Sequence, residues 1–315
     1  MNSDLHVIFG AGQVGYPLAQ YLQESGKRVR VVKRSPGGVP PDAEVVTGDA
    51  TDPTFCGDAV RGATTVYHCM NPPYDSRIWA KQVPALMDNL INASGAAEAR
   101  LVVLDNVYML GRPSGKALDE DTPHNPCSPL GEIRARAAEA LFEAHARGQV
   151  MAIAGRASDF YGPRGTLTHV GDQFWPAVLA GKPGRVVVDP DAIHTYHYIP
   201  DVARGLATLG CAEPDAYGGP WMLPCRPAET LRQLVARFAA HFGSDIGVTR
   251  VPRWLLKVVG VFMAPARELD RMRYQWEEPF VINDQKFRSR FNQEPAAADD
   301  AAAATVTWAR EHYAR

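Results

Sequence analysis

Three glycines near the start of the chain raise the first chemical question. The stretch VIFGAGQVG, residues 7–15, spaces Gly10, Gly12 and Gly15 as G-x-G-x-x-G. It follows a short apolar run, HVIFG, and opens a segment in which Val14, Leu18 and Leu22 recur at helical spacing. A glycine loop between a strand and a helix is suited to a pyrophosphate. Gly10 permits the tight turn, Gly12 lets the backbone approach the phosphates, and Gly15 lets helix and strand pack closely. Gln13 and Val14 fall where a helix N-terminus presents free N–H groups and the positive end of its dipole. The chemistry expected of this loop is dinucleotide binding.

The next strand-like run, RVRVV, leads into Lys33, Arg34 and Ser35. An acid here would hold ribose hydroxyls; two cations and a hydroxyl suit a 2′-phosphate instead. NADP(H) is therefore expected over NAD(H), which stays as the alternative. The competing reading is that both cations are solvated side chains at a strand end. Asp49, in TGDATD, is placed to meet the adenine amino group.

Taken with later segments, these residues resemble the short-chain dehydrogenase/reductase superfamily, in its extended, epimerase/dehydratase-like and atypical branch. TTVYHCMNPPY is similar to the fourth strand of that branch, which puts Asn71 among the cofactor contacts. DFYGPRG resembles its YGP segment, and HTYHYIPDVARGL the segment that returns to the nucleotide domain. The resemblance implies a Ser or Thr after the fifth strand and a Tyr-x-x-x-Lys on the helix beyond it. The Tyr would move the proton, and the Lys would lower its pKa and hold the nicotinamide ribose. All three positions depart from that pattern: they fall on Asn106, Leu130 and Arg134.

Leu130 cannot donate a proton, so another donor is needed. Tyr108 lies two residues past Asn106, at the end of a strand, where such sheets place their ligands. If the strand persisted that far, both side chains would face the same side. Asn106 would then hydrogen-bond a substrate oxygen and Tyr108 would supply the proton. Arg134 keeps a charge that binds ribose hydroxyls but does not titrate. His194, or His197, is the alternative donor. Asp159 and Tyr161 are expected near the nicotinamide, ordering a loop or touching substrate. By the resemblance, Tyr74, Trp79, Leu130, Tyr161 and Trp175 line the substrate side, joined by Phe174 and Trp221. An aromatic lining suits a flat or apolar ligand better than a nucleotide-sugar diphosphate, which would want clustered cations. Arg164, Arg226, Arg267 and Arg273 are available, but the sequence does not bring them together. The favoured reaction is hydride transfer to or from a small, fairly apolar carbonyl, enone or quinone-like molecule. A sugar-nucleotide epimerase or dehydratase and a non-catalytic dinucleotide sensor are the rivals.

The elements that must position these groups alternate. Strand-like runs at 6–10, 28–32, 43–49, 64–70, 100–106 and 150–157 are separated by helical patterns, with helices expected at about 78–93 and from Ser128 onward. This implies an α/β fold: a doubly wound parallel sheet (Rossmann fold) with a smaller interwoven C-terminal lobe. Residues 1–160, with 195–225 returning, would form the nucleotide domain. Residues 161–194 and 226–315 would form the substrate lobe. Helices are also expected at 227–243, up to Pro265, and from about Asp299. The 315 residues are 46% hydrophobic and 22% charged, with a net charge of −2. That balance gives no reason to expect nucleic acid or an anionic membrane as partner. No apolar run reaches about 18 residues. The five cysteines are scattered without a CxxC, which suits free thiols in a cytoplasmic setting and no metal site. A homodimer through the helix after Ser128 is implied by the resemblance alone.

Overall fold

The computed structural model describes residues 4–314. Its first lobe runs β1 (Leu5–Phe9), α1 (Gly15–Glu24), β2 (Arg28–Lys33), β3 (Glu44–Thr47), α2 (Pro53–Ala59), β4 (Thr65–His68), α3 (Ser76–Ala96), β5 (Arg100–Asp105), α4 (Pro129–Ala146) and β6 (Met151–Arg156). The chain then passes through β7 (Asp159–Tyr161), α5 (Trp175–Leu179), β8 (Gly184–Val186), β9 (Ile193–His194) and β10 (Tyr196–Tyr198). It returns as α6 (Ile199–Gly210) and β11 (Pro220–Met222). The rest is β12 (Glu229–Thr230), α7 (Leu231–Phe242), β13 (Val248–Arg250), α8 (Arg253–Phe262), α9 (Ala264–Arg271), α10 (Gln285–Phe291) and α11 (Ala298–Tyr313).

Seven strands form one sheet in the order β11-β6-β5-β4-β1-β2-β3, all parallel. The strands are short and apolar because both faces are covered. In β1, Val7 and Phe9 enter the core on one face and Ile8 enters the other. In β5, Leu101 and Val103 face one way and Val102 the other. This is the period of two of a pleated strand with helices on each side. One core takes Leu90 and Met87 of α3 and Leu141 of α4; the other takes Leu18 and Leu22 of α1 and Leu206 of α6. Chain order reverses between β1 and β4, so a crevice opens at the carboxyl ends of those strands.

Local sequence explains the helix ends. Ser128 caps α4 by accepting the Gly131 N–H at 3.1 Å, with Pro129 in the first turn. Thr230 and Gln233 form a reciprocal capping box at the start of α7. The expectation of one helix ending at Pro265 is corrected. The break falls at Met263, whose φ −119° and ψ 115° are extended, and Pro265 lies in the first turn of α9. Proline is tolerated there because first-turn amides have no intrahelical acceptor. Among the described residues, no helix is long and apolar enough to cross a membrane.

Candidate active site

The glycine loop lies in the crevice and divides its work between three positions. Gly10 has φ +99°, and a Cβ there would meet the Cys69 carbonyl oxygen at 3.0 Å. A Cβ on Gly15 would fall 1.8 Å from the Gly10 carbonyl oxygen, so the close approach of α1 to the loop requires glycine. Gly12 is different: a Cβ there would meet nothing within 4 Å. Only its open side needs an explanation from outside the chain, and a pyrophosphate supplies one. Val14 is buried and gives α1 no side-chain cap; the Tyr16 N–H donates to the Gly12 carbonyl at 3.3 Å and Pro17 has no N–H, so the Gly15 amide is the first-turn donor that faces a ligand. The Gln13 side chain turns the other way, its Oε1 accepting the Leu167 N–H at 2.8 Å. Beside it, the Arg164 guanidinium stacks 3.7 Å from the Tyr16 ring centroid. The residues fit a dinucleotide.

At the ribose end, Lys33 Nζ donates to the Gly37 carbonyl, while Arg34 and Ser35 are exposed. Asp49 is exposed, and its carboxylate accepts the Thr51 N–H at 2.9 Å. That bond, with Arg34 nearby, holds Asp49 below the usual carboxylate range.

Beyond β5 the chain does not continue as a strand. It ends at Asp105 and turns into a single 3-10 turn, Tyr108–Leu110. Asn106 Oδ1 accepts the Tyr108 N–H at 3.0 Å. The expectation that Asn106 and Tyr108 share one strand face is therefore corrected: the asparagine forms the turn that aims the tyrosine. The half-buried Tyr108 hydroxyl meets the Tyr74 hydroxyl at 3.3 Å. Its ring stacks on Trp79, with centroids 6.3 Å apart and planes 12° apart. Burial pushes the Tyr108 phenol up to about 12, and nearby Asp159 adds to this; the Tyr74 bond and Arg134 oppose it only in part.

Arg134 is buried. Its Nη2 donates to Asn71 Oδ1 at 2.7 Å, its Nη1 lies 3.7 Å from Asp105, and its guanidinium sits 4.8 Å from the Trp79 ring centroid. Arg156, also buried, approaches the other Asp105 oxygen at 3.6 Å. The α4 helix comes so close to the Tyr108 turn that a Cβ on Gly131 would sit 2.6 Å from the Tyr108 carbonyl oxygen.

Several expected substrate contacts are core residues. Leu130 has no exposed surface. Tyr161 packs between Tyr198 and Phe238, and Trp175 between Phe174 and Phe238. Trp79 is fully buried and forms a floor under Tyr108, its Nε1 donating to the Pro72 carbonyl at 3.2 Å. Trp221 packs on Phe287 and Phe291, far along the chain from these. Large apolar side chains gain most by full burial, which outweighs any placement in a wet cleft. His194 is buried too. Its Nδ1 lies 3.0 Å from the Gln275 carbonyl and its Nε2 2.9 Å from Asp159. His197 is held by Ser158 and the Leu223 carbonyl.

Asp159 gathers partners that no local motif announces. Its carboxylate faces His194, His169 Nε2 at 3.5 Å and Trp276 Nε1 at 2.5 Å. Burial pushes the carboxyl up, but His169 and His194 outweigh it and hold it well below the usual range. The site is thus a phenol pair, Tyr108 and Tyr74, with an ionised carboxylate on one side and a guanidinium on the other. Three of the four arginines considered for a diphosphate are engaged elsewhere. Arg164 stacks on Tyr16, Arg267 reaches Asp75 and Glu268, and Arg273 pairs with Asp270 and Glu277. Among the described residues, no group of His, Cys, Asp and Glu could hold a metal ion.

The parallel sheet order, the glycine loop at its reversal point and the polar cleft beside it define a dinucleotide-binding fold of the Rossmann class. Residues 7–215 match the model of the NAD dependent epimerase/dehydratase family, and the chain belongs to that family. A UDP-glucose 4-epimerase of Streptomyces lividans is 30% identical over 145 residues, covering 42% of this chain and 44% of that protein. A 3 beta-hydroxysteroid dehydrogenase/Delta 5-->4-isomerase of Mycobacterium tuberculosis is 31% identical over 133 residues, covering 38% of this chain and 36% of that one. The chain thus matches less than half the length of either curated relative. UDP-glucuronic acid 4-epimerase of Bacillus cereus, solved with UDP-glucuronic acid and NAD, shares the fold at TM-score 0.79 and 15% identity, over 98% of this chain and 99% of that one.

Proposed function

We propose that the protein is an NADP(H)-dependent reductase of a small, fairly apolar carbonyl, enone or quinone-like compound, with Tyr108 as proton donor. The observation that carries this reading is the state of Tyr108. A phenol held at about 12 is protonated throughout the neutral range, so it carries the proton that a developing alkoxide, a far stronger base, would take, and it is not ionised to serve as a base. A bound nicotinamide would supply the hydride. Tyr108 would give its proton to the substrate oxygen, and the Tyr74 hydroxyl beside it would keep the phenol oriented. The guanidinium of Arg134 would favour negative charge developing on that oxygen. Hydride and proton together complete a two-electron reduction. Lys33, Arg34 and Ser35 would hold the 2′-phosphate, Asp49 the adenine, Gly12 and the Gly15 amide the pyrophosphate, and Asn71 with Arg134 the nicotinamide ribose.

Sugar-nucleotide epimerisation is the second reading, favoured by the UDP-glucose 4-epimerase relative. It begins with an alcohol oxidation that needs an efficient base, which this tyrosine is not. Screening carbonyl compounds and UDP-sugars for NADPH oxidation or product formation, with Tyr108→Phe as control, tests both. Turnover of a UDP-sugar with no reduction of any carbonyl compound would overturn the first.

A further inference from the structure

We propose that α8 is a membrane-surface docking element that seats the protein on anionic lipid. The inference rests on the surface of α8 and its flanks and is independent of the reaction proposed above.

The helix Arg253–Phe262 buries only Leu256 and Gly260. Its opposite face is apolar and in solvent: Phe262 is 86% exposed, Val261 72% and Trp254 66%, with Val258, Leu255 and Met263 also exposed. Trp254, Val258, Val261 and Phe262 fall at i, i+4, i+7 and i+8, one stripe along the helix. Single exposed apolar residues are ordinary; a contiguous stripe with a tryptophan and a phenylalanine marks an interaction surface.

The charges around it choose the occupant. Residues 246–267 contain Arg250, Arg253, Lys257 and Arg267 and no Asp or Glu. Arg253 and Arg250 reach Glu277, each at 3.6 Å, Arg250 also pairs with Asp189, and Arg267 pairs with Asp75 and Glu268; Lys257 is exposed on the helix itself and is the cation that the stripe presents. An apolar stripe with Trp and Phe, bordered by cations, is the pattern of a helix lying in the headgroup region of an anionic bilayer. A second copy of this chain fits less well. A two-fold contact would set each patch against its own equivalent and bring Lys257 towards Lys257. The element that follows α8 is tied to the segment carrying the phenol pair: Glu268 of α9, fully buried, accepts the Ser76 hydroxyl at 2.8 Å, and Ser76 opens α3 two residues past Tyr74.

The test is co-sedimentation of the full chain with vesicles of phosphatidylcholine alone and of phosphatidylcholine mixed with phosphatidylglycerol, with gel filtration alongside. Wild type is expected to sediment with the anionic vesicles and to release at high salt. Replacing Trp254→Ser and Phe262→Ser together should lower partitioning by about tenfold or more, with unchanged melting because both side chains are exposed. Lys257→Glu should weaken binding to anionic vesicles. The proposal is overturned if wild type and the double variant sediment alike. It is equally overturned if wild type fails to bind and runs as a dimer that the double variant dissolves, or if Lys257→Glu leaves binding unchanged.

Discussion

Gly12 and Gly15 stand three residues apart in one motif, yet the structure separates their roles by a measurable margin. A Cβ on Gly15 would fall 1.8 Å from a backbone oxygen that cannot swing aside, whereas one on Gly12 enters open space. Gly15→Ala should therefore act on the fold. Overpacking of this kind costs about 1–3 kcal/mol, which in a chain of this size lowers Tm by roughly 2–10 °C. Gly12→Val should leave Tm within about 2 °C of wild type, since a Cβ there has no neighbour within 4 Å. Its effect belongs to the ligand. With NADPH at about a hundred times its Kd, binding adds about 2.7 kcal/mol to the stability of wild type. Two methyl groups in the pyrophosphate space should weaken binding by about a hundredfold or more, close to 2.7 kcal/mol, and nearly abolish that gain. Differential scanning fluorimetry with and without NADPH, and NADPH fluorescence titration, read both quantities. If Gly12→Val binds NADPH as wild type does, the open side of Gly12 is not the phosphate cradle. If it melts as low as Gly15→Ala, the contact geometry around the loop is wrong.

Tyr108→Phe should lower carbonyl reduction by about 10²–10⁴-fold while leaving NADPH affinity unchanged; equal turnover of the two proteins would place the proton donor elsewhere. With the phenol at about 12, reduction should hold nearly level from pH 6 to about 9, and any alcohol oxidation should climb with pH across that range, as a pH–rate profile would show. Replacing Lys33 and Arg34 together by Ala should raise the Kd for NADPH about tenfold or more and barely change that for NADH; an equal effect on both cofactors would refute recognition of the 2′-phosphate. His68 and His197 are held by burial at about 3 and about 4. Both values lie below the 6.5 of an unfolded histidine, so their stabilisation is full above that pH and is lost as pH falls towards the folded values. Roughly 2 kcal/mol should disappear for each by pH 5; urea unfolding with the same midpoint at pH 5 and pH 8 would contradict this.

The strand pattern was readable because parallel strands covered on both faces are short apolar runs, and each was bounded by a turn or a helical period. Ser128 was equally legible, since a cap and a first-turn proline act within four residues of sequence. What escaped was decided by contacts between distant residues. Nothing near Asn106 in the sequence says whether β5 runs on to Tyr108; side chain-to-backbone bonds from Asp105 and Asn106 form the turn that follows it. Asp159 draws its character from His169, His194 and Trp276, the last 117 residues away. Leu130, Tyr161 and Trp175 are of types that serve a core or a pocket equally well, and only packing assigns them. Pro265 was read as a stop because a first-turn proline and a terminating proline look alike until the preceding break is seen.

The fit between α4 and the Tyr108 turn couples two parts of the site. Leu130 has no free surface, and Gly131 has no room for even a methyl group against the Tyr108 carbonyl. The same helix carries Arg134, which holds Asn71 and shares Asp105 with Arg156. A shift of α4 along its axis would therefore move the phenol and the guanidinium together, so the proton donor and the group proposed to hold the ribose keep a fixed separation.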